Sequence, residues 1–447
     1  MRSVVELQVN GHSLGPRRLS VKHPLVLCHG FILKRPDVAA VKPKKIDVQT
    51  VFRSRFGFTP PFTVRVPEAH ALLGQHTEDS LGLAIGVATE PWLHMAASPR
   101  TDGKIEIACH EQEERASFWM TRLLPQPKAP WADPIIEMLA ALRKREVMFS
   151  GFNLAVLPPF TADDVPASPP ALCAGTALII RELQPYRVTP SGLMRPPDRD
   201  KKNQLPPLLD FERQEIARLC RNACERLGLR GVGAVTVATS LNTKEYHVVS
   251  TDFLHGTSRP VVLAGSMVLA VCDTGEPSRV PKGWLADFNE TCAAAARKMK
   301  GRTLRSVDRE WLEDHRERLT KKEYGCSRFV IEETMRAVYA EKALDQNDPL
   351  QFGNYLFQAQ ESARELLGNS TARSDLMYQL ARSHPACFGA RSAGIGFGGP
   401  VACLLEFNGA KDFVGSISKL YRDLTGIETK PIIRPFTGAA DSMKNRW

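Results

Sequence analysis

Two separated segments of this chain carry the residues whose types and spacing could serve binding or chemistry. The first, residues 67–82, contains Gln75, His76 and Glu78, whose polar side chains could hydrogen-bond a ligand. The second, residues 389–399, is dense in glycine, which lets backbone approach a ligand or a neighbouring strand without Cβ clashes. A single histidine often serves only as a structural hydrogen-bonding group, so this role for His76 stays open beside a binding role.

The order and separation of these segments resemble the first and last signature motifs of galactokinase, a sugar kinase of the GHMP superfamily. The resemblance runs from residue 46 to the C-terminus. The positions that agree with the two motifs are Pro67, Leu72, Gly74, His76, Thr77, Gly82, Gly394, Gly396, Phe397, Gly398 and Gly399. The resemblance implies an α/β (α+β) fold of two lobes, built from mixed sheets with helices, in which ATP phosphorylates a sugar.

The residues that the resemblance implies for the sugar and the transferring phosphoryl group are largely replaced. The family arginine that stabilises this group falls on Ala69. The sugar-contacting glutamate and aspartate of the family fall on Gln75 and Glu78. Of the sugar-binding set, only His76 is kept.

The phosphate-binding loop that the resemblance implies falls on residues 163–170, Asp-Asp-Val-Pro-Ala-Ser-Pro-Pro. In the family, this glycine- and serine-rich loop aims backbone N–H groups and the positive end of a helix at ATP phosphates. Here Asp163 and Asp164 replace glycines, three prolines lack an N–H donor, and Ser168 is the only serine. A carboxylate about 4 Å from a phosphate oxygen repels it by about 4 kcal/mol at an effective dielectric constant of about 20. We therefore predict that this loop does not hold a triphosphate.

The catalytic aspartate of the family falls on Thr236. Proton abstraction from a sugar hydroxyl needs a carboxylate or a comparably basic group, which a threonine hydroxyl is not. The neighbouring Asp252 could substitute only if the backbone moved. The family tyrosine that packs on the sugar falls on Leu285, with Trp284 adjacent.

The retained positions are those that the fold needs, whereas the lost positions serve phosphoryl transfer. We therefore predict a catalytically inactive galactokinase-like protein that acts as a binding or structural component of a larger assembly, with no cofactor and no metal. One alternative is an active ATP-dependent sugar 1-kinase for a galactose-like sugar, which would need ATP and Mg²⁺. A further alternative is a sugar or nucleotide sensor without turnover. The residues that could still bind a ligand are Gln75, His76, Glu78, Ser168, Gly394 and Gly396.

Composition and charge suggest where the protein works and what it meets. The 447 residues are 43% hydrophobic and 24% charged, as in ordinary globular proteins, and no apolar run approaches the roughly 20 residues of a membrane span. The ten cysteines form no Cys-x-x-Cys pair, which predicts an intracellular protein, in the cytoplasm or in an organelle. A net charge of +10 predicts attraction to an acidic partner, such as an acidic protein lattice or a ribonucleoprotein. A solvated basic face without a partner is the alternative.

Periodicity and composition predict the elements and their grouping. We expect a basic N-terminal extension over residues 1–45, a first lobe over 46–265 and a second lobe over 266–447. The Pro-rich charged segment 185–208 is expected to be a surface insertion that cannot build a packed core. The predicted helices cover 46–56, 131–144, 210–227, 286–299, 329–344, 350–367 and 374–383. The predicted strands cover 3–9, 25–33, 63–66, 81–89, 151–157 and 248–252.

Overall fold

The computed structural model describes residues 46–110, 112–158, 168–227, 233–263 and 266–443, which form one unit. The predicted extension over 1–45 and the carboxylates at 163 and 164 lie outside the described residues. The helices are α1 (Val48–Phe56), α2 (Asp133–Lys144), α3 (Pro169–Leu183), α4 (Asp210–Arg226), α5 (Ala234–Asn242), α6 (Trp284–Lys298), α7 (Arg309–Asp314), α8 (Lys321–Asp345), α9 (Pro349–Ser362), α10 (Ala372–Ser383) and α11 (Ala410–Thr425). The strands are β1 (Phe62–Leu73), β2 (Leu83–Pro99), β3 (Lys104–Cys109), β4 (Ala116–Trp119), β5 (Phe152–Leu157), β6 (Arg187–Thr189), β7 (Gly192–Met194), β8 (His247–Asp252), β9 (Thr257–Val262), β10 (Met267–Cys272), β11 (Cys387–Ser392), β12 (Val401–Glu406), β13 (Ile432–Arg434) and β14 (Asp441–Ser442).

The first sheet is mixed and centres on the long antiparallel pair β1–β2. Its strand order is β14-β1-β2-β5-β3-β4, and the β8–β9 hairpin also pairs with β2. The strands β3 and β5 are parallel. Alternate residues of β5 face opposite sides, as the two-residue period of a strand requires: Leu154 packs toward α2, α3 and α4, whereas Ala155 packs against α1.

The second sheet is antiparallel, with strand order β11-β12-β10-β13. On β12, Cys403 faces a core shared with α10 and α11, and Leu404 faces a core shared with α8 and α9. This second core also contains Leu72 of β1 and Ile85 of β2. The two sheets are therefore joined through one apolar core, which lies beside the segment that carries the first motif.

Helix ends follow local capping residues. Asp47 accepts a hydrogen bond from the amide of Gln49, and Gly57 ends α1 with φ of +87°, so the helix predicted over 46–56 is confirmed. The helix α8 begins well before the predicted residue 329, because Thr320 and Glu323 form a reciprocal capping box at its start. Within the described ranges, no helix combines the length and apolar character needed to cross a bilayer.

The Pro-rich segment 185–208 contributes more to the core than its composition predicts. It contains the β6–β7 hairpin, and Tyr186, Val188 and Leu208 are buried among the side chains of α2, α3 and α4. The expectation that it cannot build a packed core is therefore wrong for these residues, because its few apolar side chains point inward. Its charged part is a surface element, with Arg195 and Asp198 paired in solvent.

Candidate functional site

The first motif forms the turn between β1 and β2. Gly74 adopts φ of +76°, and a Cβ atom there would lie 2.3 Å from the carbonyl oxygen of Leu83, so only glycine fits. The Thr77 hydroxyl donates to the Gly74 carbonyl at 2.9 Å, and the amide of Gly82 donates to the Thr77 carbonyl at 2.9 Å. Gly74, Thr77 and Gly82 thus agree with the family motif at positions that the backbone of this turn requires.

A buried ion pair under this turn fixes Gln75. Glu333 of α8 is fully buried and accepts hydrogen bonds from the amide of Gly74 at 3.0 Å and from Nη1 of Arg391 at 2.8 Å. Arg391 also donates from Nη1 to the Leu72 carbonyl at 2.9 Å and from Nη2 to Oε1 of Gln75 at 2.7 Å. The Gln75 oxygen is therefore occupied, and its amide nitrogen donates to the Ala71 carbonyl at 3.5 Å, which leaves one hydrogen of that nitrogen for a ligand.

The charge of Glu333 is balanced inside the protein. Burial by itself raises the pKa of this carboxyl, but Arg391 and Arg336 more than offset that effect and hold the pKa below its ordinary value. The Nε of Arg336 lies 2.9 Å from the second carboxylate oxygen. Sequence reasoning missed both Glu333 and Arg391 as site residues, although Arg391 stands inside the glycine-dense segment.

His76 lies in an aromatic enclosure. Its ring centroid is 5.3 Å from that of Trp284, 5.7 Å from that of Phe288 and 6.4 Å from that of Phe329. Burial, assisted by the positive charge of Arg391, lowers the pKa of His76 to about 4. The imidazole is therefore neutral near pH 7, which suits a hydrogen bond or an aromatic contact and excludes a charged histidine.

Glu78 is the second unusual titratable group of the first motif. It lies in a single 3-10 turn, Glu78–Ser80, and its carboxyl is buried. Burial raises the pKa of Glu78 to about 8, partly countered by nearby backbone amides and by Arg221. The adjacent Asp79 accepts a hydrogen bond from Asn289 of α6. Glu78 is therefore largely protonated at pH 7 and can donate a hydrogen bond.

The position where the resemblance puts the catalytic base carries a neutral side chain. Thr236 lies in the first turn of α5, and its hydroxyl donates to the Gly233 carbonyl at 2.9 Å. The acid considered as its substitute, Asp252, is engaged by Nδ1 of His255 at 3.0 Å and by Arg305 at 3.2 Å. Burial raises the pKa of Asp252, but these partners and a backbone amide outweigh burial and lower it overall. Asp252 is therefore a weak base tied to other groups.

The start of α3 has few hydrogen-bond donors left for a phosphate. The first two helical positions are Pro169 and Pro170, which have no N–H. The amide of Ala171 donates to the Ser168 hydroxyl at 3.4 Å, and that of Leu172 donates to the Ser168 carbonyl at 3.1 Å. Of the first three helical positions, two have no N–H and the third uses its N–H on the cap, whereas the Leu172 bond is the first ordinary bond of the helix.

The starts of α3 and α5 adjoin each other. A Cβ atom on Gly233, which has φ of +86°, would lie 2.2 Å from Cγ of Pro170. The structure thus places Ser168 and Thr236 at two neighbouring helix starts, in the region where the resemblance puts the phosphate loop and the base. Residues 163–167 of that loop lie outside the described residues.

The glycine-dense segment forms the turn between β11 and β12. Gly396 has φ of +100°, and a Cβ atom there would lie 2.5 Å from the carbonyl oxygen of Asn369, whereas a Cβ on Gly394 would meet nothing within 4 Å. The ring of Phe397 is 5.1 Å from that of Trp284. Through Trp284 and through Arg391, the second motif meets His76 and Gln75 of the first motif. Among the described residues, no group of three or more His, Cys, Asp or Glu side chains could hold a metal ion.

Curated relatives of this chain are named galactokinase. The galactokinase of Roseiflexus sp. (strain RS-1) is 25% identical over 380 residues, which cover 84% of this chain and 91% of the relative. The galactokinase of Homo sapiens is 25% identical over 404 residues, which cover 87% of this chain and 94% of the relative. No family model matches the chain.

Solved structures show the same similarity to galactokinase at the level of the fold. The galactokinase of Lactococcus lactis, complexed with galactose, matches with a TM-score of 0.76 and 15% identity over 89% of this chain and 99% of that chain. The phosphomevalonate kinase of Streptococcus pneumoniae, with phosphomevalonate and AMPPNP, matches with a TM-score of 0.54 and 12% identity, over 83% of this chain and 99% of that chain. As the sequence predicts, the chain therefore has the mixed α/β fold of galactokinase and other GHMP kinases.

Proposed function

We propose that this protein is a galactokinase-like protein without phosphoryl-transfer activity, which serves as a binding or structural component of an assembly. One observation carries the proposal: the adjoining starts of α3 and α5 offer two prolines, a capping serine and a threonine whose hydroxyl donates to the Gly233 carbonyl. Phosphoryl transfer depends on positioned phosphate donors and a base, and neither is supplied by these residues. Ala69 of β1, where the resemblance implies an arginine, supplies no positive charge for the transferring phosphoryl group.

A transfer assay tests the proposal. The purified chain would be incubated with radiolabelled ATP, Mg²⁺ and a panel of free sugars that includes galactose. We expect no labelled sugar above the level of a boiled sample. The Roseiflexus galactokinase, assayed in parallel, would establish that the assay detects this class of reaction. Labelled sugar phosphate produced by the wild-type chain, and lost from a Gln75→Ala variant, would overturn the proposal.

An active sugar kinase is the second candidate, and Glu78 is the observation that favours it. The relatives named galactokinase align over 91% and 94% of their own lengths. Glu78 is mostly protonated at pH 7, but its raised pKa of about 8 makes the deprotonated fraction a stronger base than an ordinary carboxylate. ATP and Mg²⁺ would then be required. In that case, turnover would be present in the wild-type chain and would disappear in Glu78→Gln.

The proposed partner of the inactive protein is an acidic surface. The net charge of +10 supports this, and so does the exposed basic stretch that includes Arg297, Lys300 and Arg302. An affinity pull-down from the native source at two salt concentrations would identify the partner. Capture that is indifferent to salt would argue against an electrostatic association.

A further inference from the structure

A cavity of about 930 Å³ lies at the end of α3 that is remote from its start at Ser168. Its walls are the beginning of β1, the last turns of α3, the part of the Pro-rich segment within residues 198–208, Arg213 of α4 and residues 440–443. A 15-residue α-helix is about 20 Å long, so the cavity is separate from the two helix starts described above. Its size falls within the range that is usual for small-molecule sites.

The most unusual group in the cavity wall is the guanidinium of Arg181. Arg181 is only 4% exposed, and arginine is rarely buried so deeply without an ion pair. One terminal nitrogen, Nη2, donates to the Pro206 carbonyl at 3.0 Å, but Nε has no hydrogen-bond partner. Burial lowers the pKa of Arg181, since the positive charge is incompletely compensated by its neighbours. The Nε atom is closed off from solvent, but Arg181 lines the cavity and is a buried cation whose charge is incompletely compensated.

A second arginine lies beside it in the same wall. Arg213 donates from Nη1 to the Leu241 carbonyl at 2.6 Å, which is a neutral acceptor. Burial also lowers the pKa of Arg213, and the positive charge of Arg181 contributes to this shift. The two guanidinium groups thus bring two positive charges close together in the wall of the cavity.

The carboxylates of the wall are already engaged elsewhere. Glu182 accepts from Arg199 at 3.2 Å and from the Ser442 hydroxyl at 2.6 Å. Asp441 is held by two nitrogens of Arg65, at 2.7 Å and 3.1 Å. Asp200 accepts from the amides of its own turn. Glu182 partly compensates Arg181, Asp441 partly compensates Arg213, and the buried Glu212 acts on both. Burial outweighs these acids and lowers the pKa of both arginines, so an anion from solution could add the missing compensation.

The rest of the wall is apolar. Phe62, Leu178, Leu205 and Leu208 line the cavity together with the prolines of the Pro-rich segment. We propose that this cavity binds a small organic anion, with an oxyanion group on Arg181 and Arg213 and an apolar body against these side chains. A phosphate monoester or a carboxylate would supply that oxyanion, because both match the planar donor fork of arginine. This inference is independent of whether the chain phosphorylates a sugar.

Binding of phenyl phosphate, phenylacetate and uncharged benzyl alcohol, measured by calorimetry, tests the inference. We expect at least one of the two anions to bind one-to-one in the micromolar to millimolar range, and benzyl alcohol to bind far more weakly. The stronger anion identifies the oxyanion. Arg181→Gln and Arg213→Gln should each weaken its binding by about tenfold or more, because each removes a charge-assisted hydrogen bond.

Arg422→Gln is the matched control, since Arg422 is exposed, forms a surface ion pair with Asp423 and does not line the cavity. It should leave the affinity unchanged. If Arg181→Gln fails to fold, as judged by circular dichroism, Arg213→Gln decides the question. The inference is overturned if neither anion binds at millimolar concentration, if benzyl alcohol binds as well as the anions, or if a folded Arg213→Gln variant retains wild-type affinity. A Gln75→Ala variant should bind the anion normally, which separates this cavity from the turn that carries Gln75, His76 and Glu78.

Discussion

The buried pair formed by Glu333 and Arg391 holds both the β1–β2 turn and Gln75. We expect Arg391→Met to lower the free energy of unfolding by about 3–5 kcal/mol, because it strands the Glu333 charge in the core and frees Gln75. Urea denaturation of the two proteins measures this difference. Arg364→Met is the matched control, since Arg364 pairs with Glu365 at 3.9 Å on the surface. Equal effects of the two substitutions would show that the buried pair is unimportant for stability.

Glu78 predicts a particular dependence of stability on pH. Its pKa rises from an ordinary value of 4.5 to about 8 in the folded protein, so the folded state holds the proton more tightly. The stabilising contribution of this proton to the free energy of unfolding is fully present below pH 4.5. It is lost as the pH rises through about 8, at up to about 1.4 kcal/mol per pH unit.

The variant Glu78→Gln stays neutral at every pH and should remove that loss. We expect it to match the wild type near pH 4 and to be more stable near pH 8, by urea denaturation at both values. The exposed Glu310→Gln serves as the control. A variant that is less stable than the wild type at pH 8 would contradict the assignment.

Sequence reasoning reached part of the site at this scale. It singled out Gln75, His76 and Glu78, which the structure places on one turn with unusual surroundings. It missed Glu333, because nothing local marks a glutamate on a long helix as the partner of Arg391, 58 residues further along the chain. Long-range charge pairing of this kind leaves no periodic signal.

At the scale of elements, the β1–β2 turn depends on a glycine that has no substitute. Gly74→Ala should destabilise the protein by about 2 kcal/mol or more, because φ of +76° is strained for alanine and its Cβ would overlap the Leu83 carbonyl. Gly415→Ala, in the middle of α11 with nothing within 4 Å of an added Cβ, should instead stabilise by about 0.5–1 kcal/mol. Thermal unfolding of both variants checks the opposite signs. A loss at Gly415 as large as that at Gly74 would contradict this account of the turn.

The elements that sequence patterns predicted well are those with local signals. The helix α1 is flanked by two residues typical of helix caps, Asp47 and Gly57, and α4 and α10 have clear apolar periodicity. The strand β1 extends beyond the predicted 63–66 through Glu68 and His70, which no strand pattern favours. Glu68 is paired with Arg434 from near the C-terminus, so a distant partner stabilises the polar part of the strand.

At the scale of the whole molecule, the galactokinase-like fold followed from motif order alone, because glycine turns and apolar strands are what the fold requires. The joining of two sheets by a core containing Leu72, Ile85 and Leu404 did not follow from any local pattern. The composition of the Pro-rich segment predicts a surface insertion, yet the segment lines a cavity together with Arg181 and Arg213. Its role depends on residues from both ends of the described chain, which composition cannot reveal.

Direct titration of the wild-type chain with a nonhydrolysable ATP analogue and Mg²⁺, followed by calorimetry, tests the central claim most directly. Because Pro169 and Pro170 supply no N–H and Ser168 uses the next two amides, we predict no saturable heat at millimolar analogue. A galactokinase titrated in the same buffer provides the positive reference. A one-to-one isotherm from this chain would contradict the claim that the start of α3 no longer holds a triphosphate.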